Sequence, residues 1–199
     1  DGISDEDMWK QLQKEYKDKY DMSWIGQYGF NNTYALIVRE EAAKKYNLTK
    51  TSQLADVSDE LVFGGNSDYI ERKDGFHLLC DTYGLKFKDV KDIDIGLKYE
   101  ALKKGDIDVS NGFTTDAQLS NDNVRVLEDD KHLQVNYFCS NVVRNDTLKS
   151  HPGLEEAIMK LDNSITDKEM ASLNYKVEVE GKEDVQVAKD YLTEKGIIK

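Results

Sequence analysis

Proline is nearly absent from this 199-residue chain, in which it occurs once, at Pro152. Proteins use about 5% proline on average. With a single proline, the sequence has no proline-rich linker that would divide it. There is no run of about 18 apolar residues, and no pattern of charged, apolar and small residues typical of a leader opens it. The sequence therefore predicts no membrane-spanning segment and no leader peptide within the residues given.

Positive charge is in short supply as well. Acidic residues outnumber basic ones 39 to 27, which gives a formal net charge of -12. A chain of this charge repels phosphate backbones unless a local basic patch overrides it. Its longest basic runs are only pairs, such as Lys44-Lys45 and Lys103-Lys104. Nucleic acid is therefore not an expected partner.

Signatures of catalysis and of metal binding are missing too. No metal-ligand spacing relates the three histidines, His77, His132 and His151, and the sequence holds no GxSxG, HExxH, P-loop or GxGxxG motif. Two cysteines, Cys80 and Cys139, lie far apart and outside any CxxC pattern, which indicates a structural thiol or one optional disulfide. We expect neither a cofactor nor an enzymatic activity.

Short β-prone runs alternate with helical segments along most of the chain. A four-residue apolar spacing predicts a helix over Asp5–Lys19 with Ser4 as its N-cap. The strand-like runs are Tyr34–Val38, Leu61–Phe63, Phe87–Ile93, Ile107–Ser110 and Val124–Leu127. Such alternation is typical of an α/β fold with a mainly parallel sheet. From Asn145 onward the pattern predicts helices, one of them opened by a capping box at Thr166–Glu169.

Aromatic residues stand near several of the predicted strand ends, where open α/β sheets bind ligands. They are Tyr28, Phe30, Tyr34, Tyr69, Phe113, Tyr137 and Phe138. Rings around a cavity attract a cation through their quadrupoles, by about 0.5–2 kcal/mol each, and quaternary ammonium groups are frequent ligands. A single ring at such a position is more often a packed core or loop residue, so spacing alone leaves both interpretations open.

Four separated segments carry a family resemblance. They are Gly29–Leu36 (GFNNTYAL), Asp94–Tyr99 (DIGLKY), Val126–Lys131 (VLEDDK) and Leu173–Val177 (LNYKV). In this order, across nearly the whole chain, they resemble motifs in the substrate-binding proteins of glycine betaine, choline and carnitine ABC transporters. The resemblance implies a type II periplasmic-binding-protein fold, in which two α/β lobes close on a ligand held between them.

The resemblance also implies which residues bind the solute. At the crossover motif these are Asn32 and Tyr34. Phe113 takes the place of a family Tyr or Trp before the Thr115-Asp116 pair, and Tyr137 falls where relatives carry a proline-rich segment. Tyr69 matches a variable loop position. The predicted ligand-binding set is Asn32, Tyr34, Tyr69, Phe113, Thr115, Asp116 and Tyr137.

Two departures from the family pattern bear on the solute. Leu133–Asn136 replaces the usual proline pair, and Asn111-Gly112 replaces an Asp-Ala pair. Both changes predict a more polar pocket, and buried polar groups discriminate strongly between ligands because each needs a partner. Choline, carnitine and ergothioneine are therefore candidates alongside glycine betaine.

Family members carry further strands before the position of Asp1. The resemblance thus implies that residues 1–34 hold the end of a first lobe segment and the crossover. Residues 35–140 would form a complete α/β lobe with a parallel sheet, and residues 141–199 the return crossover and a helical tail. One complete lobe and the C-terminal helical part of the other are expected.

The function implied is an extracytoplasmic solute-binding domain of an ABC importer that captures a quaternary-ammonium compound in an aromatic cage. Its partners would be that small molecule and the transporter permease. The cell surface or periplasm is the expected location, with membrane attachment only through a lipid anchor or a fused permease. The alternative is a ligand-sensing regulatory domain on the same fold, which would need an attached signalling or DNA-binding module.

Overall fold

The computed structural model describes residues 3–120 and 123–199. Its contacts divide the chain into two compact units. We call Thr33–Val135 the sheet unit, and Asp1–Asn32 together with Asn136–Lys199 the helical unit. The predicted boundaries lie after residues 34 and 140, whereas the sheet unit ends at Val135. Residues 136–140, which were expected in the sheet unit, therefore belong to the helical unit.

The elements follow in chain order. The helices are α1 (Asp5–Tyr20), α2 (Glu40–Lys45), α3 (Ser67–Glu71), α4 (Phe76–Tyr83), α5 (Lys98–Lys104), α6 (Asn145–Ser150), α7 (Leu154–Met159), α8 (Asp167–Glu178) and α9 (Asp184–Glu194). The strands are β1 (Met22–Asn31), β2 (Tyr34–Arg39), β3 (Val62–Gly65), β4 (Asp89–Asp92), β5 (Val109–Phe113), β6 (Val124–Leu127) and β7 (Phe138–Arg144).

The sheet unit is built on one sheet with strand order β4-β3-β5-β2-β6. Strand β3 pairs in parallel with β4 and β5, whereas β2 pairs antiparallel with both β5 and β6. The expectation of a parallel sheet is therefore corrected to a mixed sheet. Alternating strands and helices indicate an α/β fold, but they leave open the direction in which a given strand runs, and mixed sheets are common.

Apolar side chains cover both faces of this sheet. The larger cluster includes Leu36, Val38, Phe63, Tyr69, Leu79 and Val109, and the smaller one is Ile37, Leu102 and Ile107. Ile37 lies between Leu36 and Val38 in β2, so successive residues of one strand serve opposite clusters, as the two-residue period of a strand requires. The sheet is thereby buried from two sides and gives its strand ends a rigid base.

The helical unit combines helices with a two-stranded antiparallel sheet of β1 and β7. The pairing of β1 with β7 shifts register between Ile25 and Gln27. Gly26 lies at this shift with a φ of +62°, a backbone conformation that glycine adopts readily. The strands predicted from the sequence included neither β1 nor β7. That expectation is corrected, because the two strands form a sheet in this unit. The predicted caps are confirmed, since the Ser4 side chain accepts from the Asp7 amide at 3.1 Å and the Thr166 capping box opens α8.

Candidate functional site

Three aromatic side chains of the sheet unit come together where strands begin and end. Tyr34, the first residue of β2, pairs in register with Phe113, the last residue of β5. Their ring centroids lie 4.9 Å apart with the planes 25° from parallel. Tyr69, from α3, places its ring 5.3 Å from that of Tyr34. We call these three residues the aromatic wall.

The members of the aromatic wall differ in burial. Tyr69 is only 4% exposed and belongs to the larger core cluster, with its ring 6.3 Å from that of Phe63. Burial raises the pKa of the Tyr69 phenol and keeps it neutral. Tyr34 and Phe113 are half-buried, so these two rings keep accessible surface. The core interpretation therefore applies to Tyr69, whereas Tyr34 and Phe113 remain partly accessible to solvent.

A buried amide stands on the same face of the sheet as the aromatic wall. Asn111 precedes Phe113 by two residues in β5 and pairs with Leu36, so its side chain shares the face of Phe113. Asn111 is 5% exposed, and its Oδ1 has no hydrogen-bond partner among the described residues. A buried acceptor left unsatisfied costs about 1–3 kcal/mol. This residue was noted as a departure from the family pattern but was missing from the predicted site.

Asp116 lies beside the aromatic wall, and its carboxylate bonds to residues of the sheet unit. Its Oδ2 accepts hydrogen bonds from the Tyr99 hydroxyl at 2.6 Å, from the Phe113 amide at 3.1 Å and from Lys98 Nζ at 3.3 Å. The neighbouring Thr115 is buried. Both residues were predicted to bind ligand, and the structure places both in the loop that follows Phe113.

The base of this loop is tied to the start of the sheet unit. The Thr33 amide donates to Thr114 Oγ1 at 3.2 Å, and the Thr114 amide donates to the Thr33 carbonyl at 3.0 Å. Thr33 Oγ1 also donates to the Val135 carbonyl at 2.7 Å. The two points at which the chain enters and leaves the sheet unit are thus joined next to Tyr34.

The two remaining predicted site residues belong to the helical unit. The Asn32 amide donates to the Tyr137 carbonyl at 3.1 Å, so the two lie side by side. The neighbouring Asn31 reinforces this link, because its Oδ1 accepts from the Tyr137 amide at 2.6 Å. The Tyr137 side chain is 59% exposed. The structure therefore brings Asn32 and Tyr137 together within one unit and Tyr34, Tyr69 and Phe113 together within the other.

Other chemistry has little support in the described parts of the chain. No group of three His, Cys, Asp or Glu side chains there is arranged to hold a metal ion. Cys80 and Cys139 are both free thiols, and burial raises the pKa of Cys80 to about 11. None of the helices described in residues 3–120 and 123–199 is both long and apolar enough to span a bilayer.

The profile of the substrate-binding domain of ABC-type glycine betaine transport systems matches residues 4–194. The chain belongs to this family. It is 38% identical over 186 residues to the ergothioneine transport permease/ergothioneine binding protein EgtU of Helicobacter pylori strain G27. The matched region covers 94% of this chain and 34% of that protein. It is 36% identical over 182 residues to the carnitine transport binding protein OpuCC of Listeria monocytogenes strain 10403S, covering 91% and 59%.

Solved structures support the same assignment. The crystal structure of a glycine betaine/carnitine/choline ABC transporter matches with a TM-score of 0.91 and 36% identity, covering 98% of this chain and 71% of that chain. Lactococcal OpuAC, complexed with glycine betaine, matches with a TM-score of 0.55 at 15% identity, which supports the fold alone. The family resemblance and the periplasmic-binding-protein fold are confirmed.

The chain spans about a third of EgtU and about three fifths of OpuCC. Its family consists of substrate-binding domains of transporters rather than enzymes, so the expectation of a non-enzymatic role is confirmed. The descriptions of these relatives give no support to the regulatory alternative.

Proposed function

We propose that this chain captures a small quaternary-ammonium solute for an ABC importer on the outer side of the cytoplasmic membrane. The observation that carries the proposal is the stacked, half-buried pair of Tyr34 and Phe113 at the strand ends, with the unsatisfied Asn111 Oδ1 on the same face. This pairing supplies an aromatic surface for a cation and a polar group for the rest of the molecule. No covalent chemistry is required.

The two rings would attract the trimethylammonium group. A methylated ammonium is large and weakly hydrated, so it loses little solvation when it contacts aromatic faces, and each ring contributes about 0.5–2 kcal/mol. A primary ammonium keeps its N–H groups bonded to water and costs more to desolvate. The aromatic wall would therefore select for methylation as well as for charge.

Asn111 would select among methylated solutes. Its buried Oδ1 is an acceptor without a partner in the described parts of the chain, so a solute that brings a hydrogen-bond donor would remove the penalty of an unsatisfied group. Choline and carnitine carry a hydroxyl, and ergothioneine carries ring N–H groups, whereas glycine betaine has no donor. We therefore place the first three ahead of glycine betaine.

The remaining predicted site residues and partners belong to the same proposal. Asn32 and Tyr137 would contribute from the helical unit, as the family resemblance implies. The loaded protein would deliver its solute to an ABC permease, and attachment to the membrane would come through a lipid anchor or a fused permease. The name of EgtU, which joins permease and binding protein, supports a fused arrangement as one of these two forms.

Calorimetric titration of the natural polypeptide that carries this chain tests the proposal. Choline should bind at least tenfold more tightly than ethanolamine, its demethylated counterpart. Phe113→Ala should lower choline affinity about fivefold or more, which corresponds to about 1 kcal/mol. Tyr20→Ala is the matched control, because that ring is 59% exposed at the end of α1. Equal affinity for choline and ethanolamine would contradict the aromatic-wall argument.

The Asn111 step has its own test in the same titration. Asn111→Leu keeps a side chain of similar size and removes the acceptor. We expect choline, which has a hydroxyl, to lose affinity in this variant, while glycine betaine, which has no donor, loses less or gains. A parallel loss for both solutes would mean that Asn111 does not contact the solute's polar end.

A further inference from the structure

The loop that carries Phe113 is fastened by one carboxylate. Asp116 Oδ2 accepts from the Phe113 amide, the Tyr99 hydroxyl and Lys98 Nζ. The Asp116 amide in turn donates to the Phe113 carbonyl at 3.0 Å. The backbone of Phe113 is thus bound through both its N–H and its C=O to a single residue, three positions further along the chain.

The two other donors come from the start of α5. Lys98 is almost entirely buried, with its side chain 7% exposed, and its Nζ also lies 5.2 Å from the centre of the Tyr99 ring. Both residues belong to the DIGLKY segment, one of the four that carry the family resemblance, and the aromatic wall does not use them. A lysine is rarely buried so deeply unless it is paired, and the partner here is Asp116.

Glycine at position 112 makes room for this arrangement. A Cβ atom on Gly112 would lie 2.2 Å from Ile37 Cδ1, 2.9 Å from Asp116 Oδ2 and 3.1 Å from the Tyr99 hydroxyl. The carboxylate therefore packs directly against the backbone of β5, one residue before Phe113. A side chain at position 112 would therefore require Ile37, Asp116 or Tyr99 to shift.

We propose that Asp116 is a positioning residue that acts through Phe113, and that Lys98 and Tyr99 hold its carboxylate in place. Asp116 would then orient the Phe113 ring against Tyr34 rather than contact the ammonium group itself, because Lys98 already compensates its charge. The binding part of this inference rests on the proposed function. The structural part, the anchoring of the Phe113 backbone, can be tested without any ligand.

The ligand-free test follows hydrogen exchange at the Phe113 amide by nuclear magnetic resonance. Asp116→Ala should raise the exchange rate of that amide at least tenfold, and Asp116→Asn, which keeps an acceptor oxygen, should raise it less. Tyr99→Phe removes one donor without leaving a charge unpaired, so it serves if an Asp116 variant does not fold. Asp89→Asn is the control, because its carboxylate is exposed and accepts only from the Val90 amide among the contacts described. An unchanged Phe113 amide in every Asp116 and Tyr99 variant would overturn the proposal.

The binding test asks whether Asp116 acts through the Phe113 ring. In the natural polypeptide, Asp116→Asn should weaken choline binding by no more than Phe113→Ala does, about two- to fivefold, and have little further effect in a Phe113→Ala background. An equal loss in both backgrounds would show that Asp116 acts independently of the Phe113 ring and overturn the positioning role. If the unaltered protein bound no quaternary-ammonium solute, the proposed function would fail, while the Phe113 amide would still decide whether Asp116 anchors the loop.

Discussion

The two units of this protein bury very different amounts of apolar surface. The sheet unit holds both core clusters, whereas the buried apolar residues described in the helical unit are few. Those of the helical unit are Ile25, Phe30, Ala171, Val187 and Tyr191. Helix α1 has no buried residue at all. The sheet unit therefore carries a core of its own, and much of the aromatic wall is an extension of that core.

This difference explains why the candidate site is best defined on the sheet unit. Tyr34 and Phe113 sit at the ends of strands that are covered on both faces, so their backbones are held firmly. A binding surface loses less entropy on capture when its side chains are already ordered. In the helical unit, Tyr137 is positioned by backbone hydrogen bonds around Asn31 and Asn32, and its ring is largely exposed.

We expect the largest loss of stability when a phenylalanine is removed from the sheet unit, compared with one removed from the helical unit. Phe63 is fully buried, and its ring centroid lies 4.6 Å from that of Phe76 and 5.2 Å from that of Phe87. Phe30 is 9% exposed, with the Tyr28 ring 6.3 Å away. Phe63→Ala should lower the free energy of unfolding by about 3–5 kcal/mol, and Phe30→Ala by clearly less.

Urea unfolding of the two variants and the unaltered protein measures this difference. Circular dichroism reports the whole fold, and hydrogen exchange separates the amides of the sheet unit from those of the helical unit. Equal losses for Phe63→Ala and Phe30→Ala would mean that the helical unit has a core as well packed as that of the sheet unit.

Local sequence signals located elements with an uninterrupted apolar run or a capping residue. The strand predicted at Val124–Leu127 matches β6, and the predicted caps of α1 and α8 are confirmed. Strands β1 and β7 were missed because they stabilise each other across more than a hundred residues, and β1 is interrupted by the register shift at Gly26. Strand direction was likewise inaccessible, because it depends on pairing partners rather than on periodicity.

The residues of the candidate site also divide into those that the sequence could identify and those that needed the structure. Family motifs identified Tyr34 and Phe113, and the structure shows their rings stacked. The motifs could not show whether Asp116 contacts the solute or holds the backbone of Phe113. That distinction depends on the buried Lys98, which reaches the Asp116 carboxylate from α5. Asn111 gave a sequence signal only as a departure from the family pattern. Its significance comes from the buried Oδ1, which has no hydrogen-bond partner in the described parts of the chain.

The second effect concerns the segment by which the chain leaves the sheet unit. The Tyr83 hydroxyl donates to Asp129 and accepts from the Lys131 amide at 2.9 Å. Asp129 also accepts from the amides of Leu133 at 3.0 Å and Gln134 at 2.7 Å. Tyr83→Phe removes a buried hydroxyl from this network, so unfolding free energy should fall by about 1–3 kcal/mol.

Chemical unfolding together with exchange at the Leu133 and Gln134 amides checks this prediction. Tyr46→Phe is the matched control, because the Tyr46 hydroxyl bonds to Glu60 at the surface, and it should change stability by less than about 0.5 kcal/mol. If Tyr83→Phe behaved like that control, the Tyr83 hydroxyl would contribute little to holding the VLEDDK segment.

A third and smaller effect is expected from Tyr137→Ala, which tests whether the helical unit takes part in binding. Tyr137→Ala removes a largely exposed ring, so it should leave the free energy of unfolding within about 0.5 kcal/mol of the original. If Tyr137 belongs to the aromatic cage, choline affinity should fall by about 1 kcal/mol. Calorimetry and thermal unfolding of the same samples separate the two effects. Unchanged affinity would confine the aromatic contribution to the sheet unit.

The smallest expected effect lies within the helical unit and depends on pH. Glu169 at the start of α8 accepts from Lys195 Nζ at 2.5 Å and from the Thr166 amide at 2.8 Å. The hydrogen bond from Lys195, followed by those from Thr166, lowers the pKa of Glu169 from 4.5 to about 2. Its ionised form therefore stabilises the fold above about pH 4.5, and this contribution is lost as pH falls toward 2.

Glu169→Gln should accordingly lower stability at pH 7, by less than about 1 kcal/mol because the ion pair is partly exposed, and should make little difference near pH 2. Thermal unfolding across this pH range measures the effect, with the exposed Glu178→Gln as the control for simple charge loss. A loss of the same size at pH 2 and pH 7 would mean that the side chain stabilises α8 by its shape rather than its charge. A loss larger than that of Phe30→Ala would show that the helical unit relies on this polar connection between α8 and α9 more than on its thin apolar core.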